Sequence, residues 1–101
     1  MTFLENNNIK ALRKKYNITQ QELAEYLGYT REGYARNELN NTFSIDMLLK
    51  LCLLFNVNIF YLLGINNKLV PLQDEEKINI IKKYHIKVNK FEEVVKKIKG
   101  S

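Results

Sequence analysis

Apolar residues recur at three- and four-residue intervals in a segment of the N-terminal half, which is the pattern of a helix with one buried face. They are Leu23, Ala24 and Leu27. Thr19 is placed before this stripe to accept a backbone N–H group, and Glu22 is placed to bond back to it, which together make a capping box. Gly28 follows where a helix end favours a left-handed residue. The pattern predicts a short helix between Thr19 and Gly28.

A second helix is predicted immediately afterwards, from residue 31 to residue 40. Thr30 is its candidate N-cap, and Tyr34 and Leu39 are its predicted inward residues. The connection between the two helices is too short to hold a strand or an independent loop. The two segments therefore predict a helix-turn-helix.

One further helix is predicted before this motif. It begins at Asn7 or Asn8, either of which is a candidate cap, and it runs to Tyr16 with apolar residues on one side. Residues 1 to 6 offer no periodic face and are expected to form a loosely held arm. The three lysines of this helix, which either approach phosphate or face solvent, are Lys10, Lys14 and Lys15.

Two more helices are predicted after the motif. Ser44 caps the fourth, which is apolar on most sides and is therefore expected to form the buried centre of a bundle. Its apolar residues are Ile45, Leu48, Leu49, Leu51, Cys52 and Phe55. Asn58 caps a short fifth helix from residue 59 to residue 63, which Gly64 ends. The predicted fold of residues 1–64 is thus an all-α, five-helix bundle.

The apolar pattern restarts after a linker at residues 65–73, which contains the single proline, Pro71. For residues 74–101, the β-branched run at 86–88 favours a helical hairpin over one continuous helix with a coiled-coil stripe. Short helices cannot bury apolar faces alone, so these pack on the bundle, on each other or on a second chain. The residues predicted to form a dimer contact are Ile78, Ile81, Tyr84, Phe91, Val94, Val95 and Ile98.

Charge is distributed along the whole chain. The protein has 101 residues and a net charge of +5, which allows one domain or one small domain with an appendage. Residues 1–71 hold eight Lys or Arg against six Asp or Glu, and residues 72–101 hold eight against five. Because the basic excess is not concentrated on the motif, composition alone gives weak support for nucleic-acid binding.

The sequence gives almost no support for a catalytic, cofactor or metal site. Cys52 is the single cysteine and His85 the single histidine, which excludes an internal disulfide, a cysteine cluster for zinc and a strong catalytic triad. The four glycines are scattered rather than gathered into a phosphate-binding loop. We predict no enzyme, no cofactor and no metal. The absence of a long apolar run and of a signal-peptide pattern predicts a cytoplasmic protein without membrane contact.

The spacing of the motif resembles that of a known family. Gln20, Ala24, Gly28 and Tyr34 are separated by four, four and six residues. With the flanking helices they resemble the lambda-repressor and Cro family of helix-turn-helix transcriptional regulators, often called the XRE family, over roughly residues 9 to 64. Ala24 leaves room for the helix crossing, Gly28 permits the turn and Tyr34 supplies an apolar plug. The resemblance implies a second helix that lies in the major groove of DNA.

The outward residues of that second helix are the predicted base contacts. Arg31 is suited to guanine O6 and N7, Glu32 to cytosine N4 and Ala35 to a thymine methyl group, while Arg36 reaches either a base or a phosphate. Glu32 has the alternative role of compensating the helix dipole. By resemblance to the family, Gln20 holds the sugar-phosphate backbone. The predicted phosphate contacts are Gln20, Gln21, Tyr29, Asn40, Asn41 and Thr42.

The family also pairs an arginine of the first helix with a glutamate near the end of the recognition helix. Arg13 and Glu38 stand at those positions, so the resemblance implies a structural ion pair between them. Several positions depart from the family pattern, among them two asparagines. Asn37 replaces an apolar or aromatic residue, and Asn40 is left to adopt the left-handed turn where glycine is frequent.

Taken together, these features predict a sequence-specific regulator of transcription, a repressor that binds double-stranded DNA at a palindromic operator as a homodimer. The dimer contact is open between the fifth helix and residues 74–101. The alternative is an antitoxin or developmental regulator whose C-terminal helices bind a controlling protein. A third possibility is a helical bundle that has lost DNA binding.

Overall fold

The computed structural model describes residues 6–100, and within that range it contains seven helices and no strand. The helices are α1 (Ile9–Lys15), α2 (Gln20–Leu27), α3 (Arg31–Asn40), α4 (Ile45–Phe55), α5 (Ile59–Leu62), α6 (Asp74–Tyr84) and α7 (Val88–Lys99). The all-α fold class is therefore confirmed. Of the arm expected at residues 1 to 6, all but Asn6 lies outside the described residues.

The helix starts follow the polar caps in the sequence. Thr19 and Glu22 form the capping box of α2, and three further caps accept a backbone N–H as predicted: Thr30, Ser44 and Asn58. The start of α1 differs from a simple cap. Asn8 holds the N-cap position, but its side chain donates to the Tyr61 carbonyl at 2.7 Å, while Asn7 accepts the Ile9 N–H at 2.9 Å. Asn8 thus ties the start of α1 to α5.

Helix α4 forms the buried centre and contacts α5, α6 and α7. Its buried residues are Met47, Leu48, Leu51, Cys52, Leu53, Leu54 and Phe55. Burial raises the pKa of the Cys52 thiol to about 12, so this side chain is an inert apolar residue rather than a reactive thiolate. Ile45 was expected to belong to the buried surface but is 62% exposed. Its neighbours Ser44 and Asp46 are exposed as well, so α4 begins at the surface.

The end of α3 also differs from the prediction. Leu39 was expected to point inward, but it is 81% exposed. Residues four apart share a helix face and residues five apart do not, so Glu38, four residues after Tyr34, takes the inward position instead. The left-handed cap is Asn41, with φ of 55°, rather than Asn40, which is still helical. Helix α3 therefore has the predicted bounds, and only its left-handed cap lies one residue later than expected.

The C-terminal part is a helical hairpin, as the β-branched run predicted. His85 ends α6 with φ of 48°. Helix α6 packs on α4, whereas α7 packs on both α2 and α4. The preceding segment is tied down by hydrogen bonds from the Asn58 N–H to the Val70 carbonyl at 2.9 Å and from the Leu72 N–H to the Asn56 side chain at 3.2 Å. The hairpin thus packs on the chain's own bundle.

This packing changes the expectation for the tail's apolar residues. Val94 was predicted to contact a second chain, but it is 4% exposed and lies in the core of its own chain. Four more of the predicted dimer residues are partly buried against that core: Tyr84, Phe91, Val95 and Ile98. Ile78 and Ile81 remain exposed. None of the helices in residues 6–100 is both long enough and apolar enough to cross a bilayer.

Candidate nucleic-acid interface

A buried polar network fixes α3 against α1 and α2. Arg13 donates two hydrogen bonds to the Glu38 carboxylate, from Nε to Oε2 at 2.9 Å and from Nη2 to Oε1 at 2.7 Å. A third reaches the Ile18 carbonyl at 3.1 Å. The Tyr34 hydroxyl donates to the same carboxylate at 2.7 Å, and Gln20 donates at 3.2 Å. The Arg13–Glu38 pair implied by the resemblance is present, and it belongs to a larger network.

The protonation states in this network follow from its hydrogen bonds. Burial by itself would raise the pKa of Glu38, but the donors Arg13, Tyr34 and Gln20 hold that pKa below its ordinary value. The bond to Glu38 in turn raises the pKa of Arg13. Burial raises the pKa of Tyr34, and the neighbouring Glu38 raises it further. The carboxylate is thus ionised and the phenol neutral at pH 7.

The crossing of α2 and α3 rests on the three residues that the spacing singled out. Ala24 and Tyr34 are fully buried, and Gly28 ends α2 with φ of 82°. The Tyr29 N–H then donates to the Ala24 carbonyl at 2.8 Å. A left-handed residue and a small buried residue are what a close helix crossing requires. This geometry leaves the opposite side of α3 facing outward.

The outer face of α3 carries the predicted base contacts. Arg31, Glu32 and Arg36 are exposed, and Ala35 is half-buried. Leu39 joins this face, since it lies four residues after Ala35 and eight after Arg31. Leu39 was predicted to lie inside, although its four-residue spacing from Ala35 is a signal that places it on the outer face. An exposed apolar side chain at this position is suited to a thymine methyl group.

A groove runs beside α3 between α1 and the start of α2. The side chains that line it are Lys10, Arg13, Lys14, Thr19, Gln20, Gln21 and Arg31. The sequence does not decide whether Lys10 and Lys14 approach phosphate or only face solvent. The structure brings both to the groove that holds Arg31. Three cationic side chains therefore surround the N-terminus of α2, and none of them forms an ion pair within residues 6–100: Lys10, Lys14 and Arg31. The helix dipole at this N-terminus also favours anions.

The two glutamines differ in how they are held. Gln20 bonds to Glu38 with one hydrogen of its amide nitrogen, which carries a second hydrogen that this bond does not use. The Gln21 amide donates instead to Glu25 of the same helix at 3.0 Å. Gln20 is thus fixed by the buried network at the edge of the groove, whereas Gln21 is engaged along α2.

The segment after α3 forms the other edge of the candidate surface. Exposed Tyr29 shares a shallow pocket with it. Asn37 donates to the carbonyl and hydroxyl of Thr42, so the residue that departs from the family pattern closes this turn. Asn41 accepts from Asn7 at 3.0 Å. That bond helps to hold the turn. Asn40 and Thr42 are exposed at the surface.

Comparison with known proteins agrees with this geometry. A helix-turn-helix family model matches residues 9–62, which span α1 to α5. Antitoxin PezA of Streptococcus pneumoniae is 38% identical over 80 residues. That alignment covers 74% of this chain and 50% of the relative, so the chain spans about half the length of the curated relative that it matches. No solved structure matches the chain.

Proposed function

This chain belongs to the helix-turn-helix family, of the lambda-repressor and Cro or XRE type, and from that premise we propose that it is a sequence-specific, non-enzymatic regulator of transcription. Helix α3 enters the major groove of double-stranded DNA. Arg31, Glu32, Ala35 and Arg36 contact bases, and Leu39 adds an apolar contact.

The outward face of α3 is the observation that carries this proposal. Within residues 6–100, neither Arg31 nor Arg36 forms an ion pair, so both guanidinium groups are available to guanine or phosphate. The two tail helices pack on α2 and α4 and leave this face uncovered. Lys10 and Lys14 extend the positive surface towards the phosphate backbone. The exposed groups therefore supply both base readout and phosphate attraction.

A homodimer on a palindromic operator is the assembly that suits this surface. One recognition helix reads only a few base pairs, and a twofold pair places two of them about 34 Å apart on successive major-groove faces. The described chain measures 31 × 29 × 28 Å, so two neighbouring copies have dimensions that match this separation. Binding at a promoter would occlude polymerase and repress transcription.

The dimer contact is better supported at α5 than at the hairpin. Phe60 on α5 is 57% exposed and Ile65 just after it is 62% exposed, whereas most of the hairpin's apolar residues are covered by the chain's own core. Sedimentation at micromolar concentration separates the two contacts. Phe60→Glu is expected to give monomers and Ile78→Glu to leave the dimer intact. The reverse result assigns the contact to the hairpin, and a monomeric wild-type chain on operator DNA contradicts the dimer.

A second candidate function follows from the relative named antitoxin PezA. In it, the chain binds DNA and its C-terminal helices also bind a controlling protein. Ile78 and Ile81 are the predicted tail residues that remain exposed for such a contact. The chain purified from its native cells would then carry a second protein that is lost in the Ile78→Glu/Ile81→Glu variant. A chain that purifies alone contradicts this candidate.

Salt-dependent binding to a random-sequence duplex tests whether α3 is the DNA surface. Affinity should fall steeply between about 50 and about 200 mM salt, because bound phosphates release counterions. Arg31→Ala/Arg36→Ala should weaken binding by about tenfold or more and flatten the salt dependence. The matched control Lys82→Ala/Lys96→Ala removes the same charge from the hairpin and should bind nearly as wild type. Equal losses in the two variants would contradict the assignment to α3.

A further inference from the structure

An apolar groove lies on the side of the molecule formed by α4, the segment before α6, and the hairpin. Its volume is about 590 Å³, which is within the range of small-molecule sites. The floor is formed by buried residues of α4, Leu53, Leu54 and Phe55. The walls are Leu69, Pro71, Ile81, Phe91, Val95 and Ile98. This surface is separate from the predicted base contacts and from the basic groove around Lys10 and Lys14.

Three polar residues also line the groove: Asn56, Lys77 and Lys99. Lys77 lies in the first turn of α6, and Lys99 is the last residue of α7. Each lysine is far along its helix from the turn at His85, with Lys77 eight residues before it and Lys99 fourteen residues after it. Both line the groove, and no acidic side chain does. In residues 6–100 neither lysine forms an ion pair. The groove therefore offers two cationic groups on a mainly apolar lining.

The length of the apolar part limits the size of the occupant. Phe91 and Lys99 are eight residues apart on α7, which corresponds to roughly 12 Å along the helix axis. An extended chain of medium length fits this distance. The anionic end of such a molecule would meet the two lysines, where charged hydrogen bonds are stronger than neutral ones, and the hydrocarbon would cover apolar surface now open to solvent.

We propose that the groove between α4, α6 and α7 binds a medium-chain carboxylate, with the carboxylate between Lys77 and Lys99 and the alkyl chain against Ile81, Phe91 and Val95. The charge complementarity of the two lysines distinguishes this ligand from a neutral apolar molecule. The small volume distinguishes it from a site for a partner helix, which needs a longer surface. The site does not depend on DNA binding.

Titration of the ¹⁵N-labelled full chain, without DNA, tests the site with octanoate and with 1-octanol as its neutral counterpart. Octanoate is expected to shift the amide signals of groove residues with a dissociation constant below about 1 mM, and 1-octanol to bind about tenfold more weakly. The Lys77→Gln/Lys99→Gln variant should lose this preference. Lys82→Gln/Lys96→Gln, a matched change on the same two helices outside the groove, should keep it.

Three results would overturn the proposal. Octanoate shifts confined to the basic groove around Lys10 and Lys14 would show that the carboxylate simply finds cationic surface. Equal affinity for octanoate and 1-octanol would show that the two lysines do not recognise the head group. Groove signals that change with protein concentration and not with octanoate would show that a second copy of the chain covers the groove.

Discussion

The Glu38 carboxylate joins three helices, because its partners Arg13, Gln20 and Tyr34 come from α1, α2 and α3. An ionised group at 5% side-chain exposure is tolerated because each of its oxygens accepts two of these hydrogen bonds. The network therefore sets the position of α3, and it does so without using any residue of the outward face.

Removing Arg13 tests how much the network stabilises the fold. Arg13→Met leaves the Glu38 charge buried without its main partner, and we expect the free energy of unfolding in urea to fall by about 3 kcal/mol. Arg36→Met is the matched control: it removes an exposed arginine of α3 and should change stability by less than about 0.5 kcal/mol. A similar effect of the two substitutions would show that the buried pair has no special role.

The lowered pKa of Glu38 predicts a loss of stability in acid. Its pKa in the folded chain lies below that in the unfolded chain, so its contribution is present above the ordinary glutamate value of about 4.3 and is lost as pH falls through the lowered value. Thermal unfolding between neutral and acidic pH should show this loss in the wild type and less of it in Glu38→Gln. The pKa values of Glu22 and Glu25 are also lowered. Both residues are present in the wild type and in Glu38→Gln, so the difference between the two pH profiles reports Glu38. Parallel pH profiles would contradict the assignment to Glu38.

Two glycines at helix ends share a left-handed backbone conformation but have different neighbouring atoms. Gly28 and Gly64 have φ of 82° and 78°, so an alanine at either adopts a strained left-handed conformation, at about 1–2 kcal/mol. A Cβ atom at Gly28 meets nothing within 4 Å, whereas one at Gly64 collides with the Asn6 carbonyl. The Asn8 N–H holds that segment on the Leu62 carbonyl at 2.8 Å.

We therefore expect Gly64→Ala to cost more stability than Gly28→Ala, although both residues occupy the same backbone region. Urea unfolding of the two variants measures the difference. Equal losses would mean that strain in the backbone accounts for the whole effect and that the contact with Asn6 contributes nothing.

Helix α7 contacts α2 through two ion pairs. Lys97 Nζ lies 2.6 Å from Glu22 Oε1, and Lys90 Nζ lies 3.5 Å from Glu25 Oε2. Glu22 is also the reciprocal residue of the α2 capping box. Lys97 therefore contacts the end of α2 that borders the basic groove around Lys10 and Lys14.

Lys97→Met is expected to lower the free energy of unfolding by about 0.5–1 kcal/mol, since partly exposed pairs are weak. Most of this loss should disappear at about 1 M salt, where charges are screened. Lys96→Met, the neighbouring exposed residue, should have almost no effect in urea unfolding. A loss that is unchanged by salt would point to packing of the lysine stem instead.

The sequence predicts those parts of the fold that depend on neighbouring residues. The capping box at Thr19, the turn at Gly28 and the break near His85 each arise within a few residues of chain, and each is present. The end of α3 depends in addition on a distant residue. Its inward position is taken by Glu38 because Arg13, far away in the chain, compensates the charge, and Leu39 is thereby left outside.

At the scale of the whole molecule, the position of the hairpin is the largest difference from the expectation. Its amphipathic pattern is compatible with a second chain or with the chain's own bundle, and only the contacts of α7 with α2 and α4 decide between them. Val94 and its apolar neighbours thus stabilise the monomer. The same packing leaves the α3 face, α5 and the apolar groove open on the surface of a molecule whose longest dimension is 31 Å.

Selection of bound sequences from a random pool of duplex DNA, performed in parallel with the wild type and Arg31→Ala, tests most directly the claim that the outward face of α3 reads DNA. The wild type should enrich two inverted half-sites with centres about 34 Å apart. Arg31→Ala should lose the preference at one position in each half-site, at a cost of about 1–3 kcal/mol, and keep the others. A pool that shows no enrichment, or an identical motif from both proteins, would contradict the account.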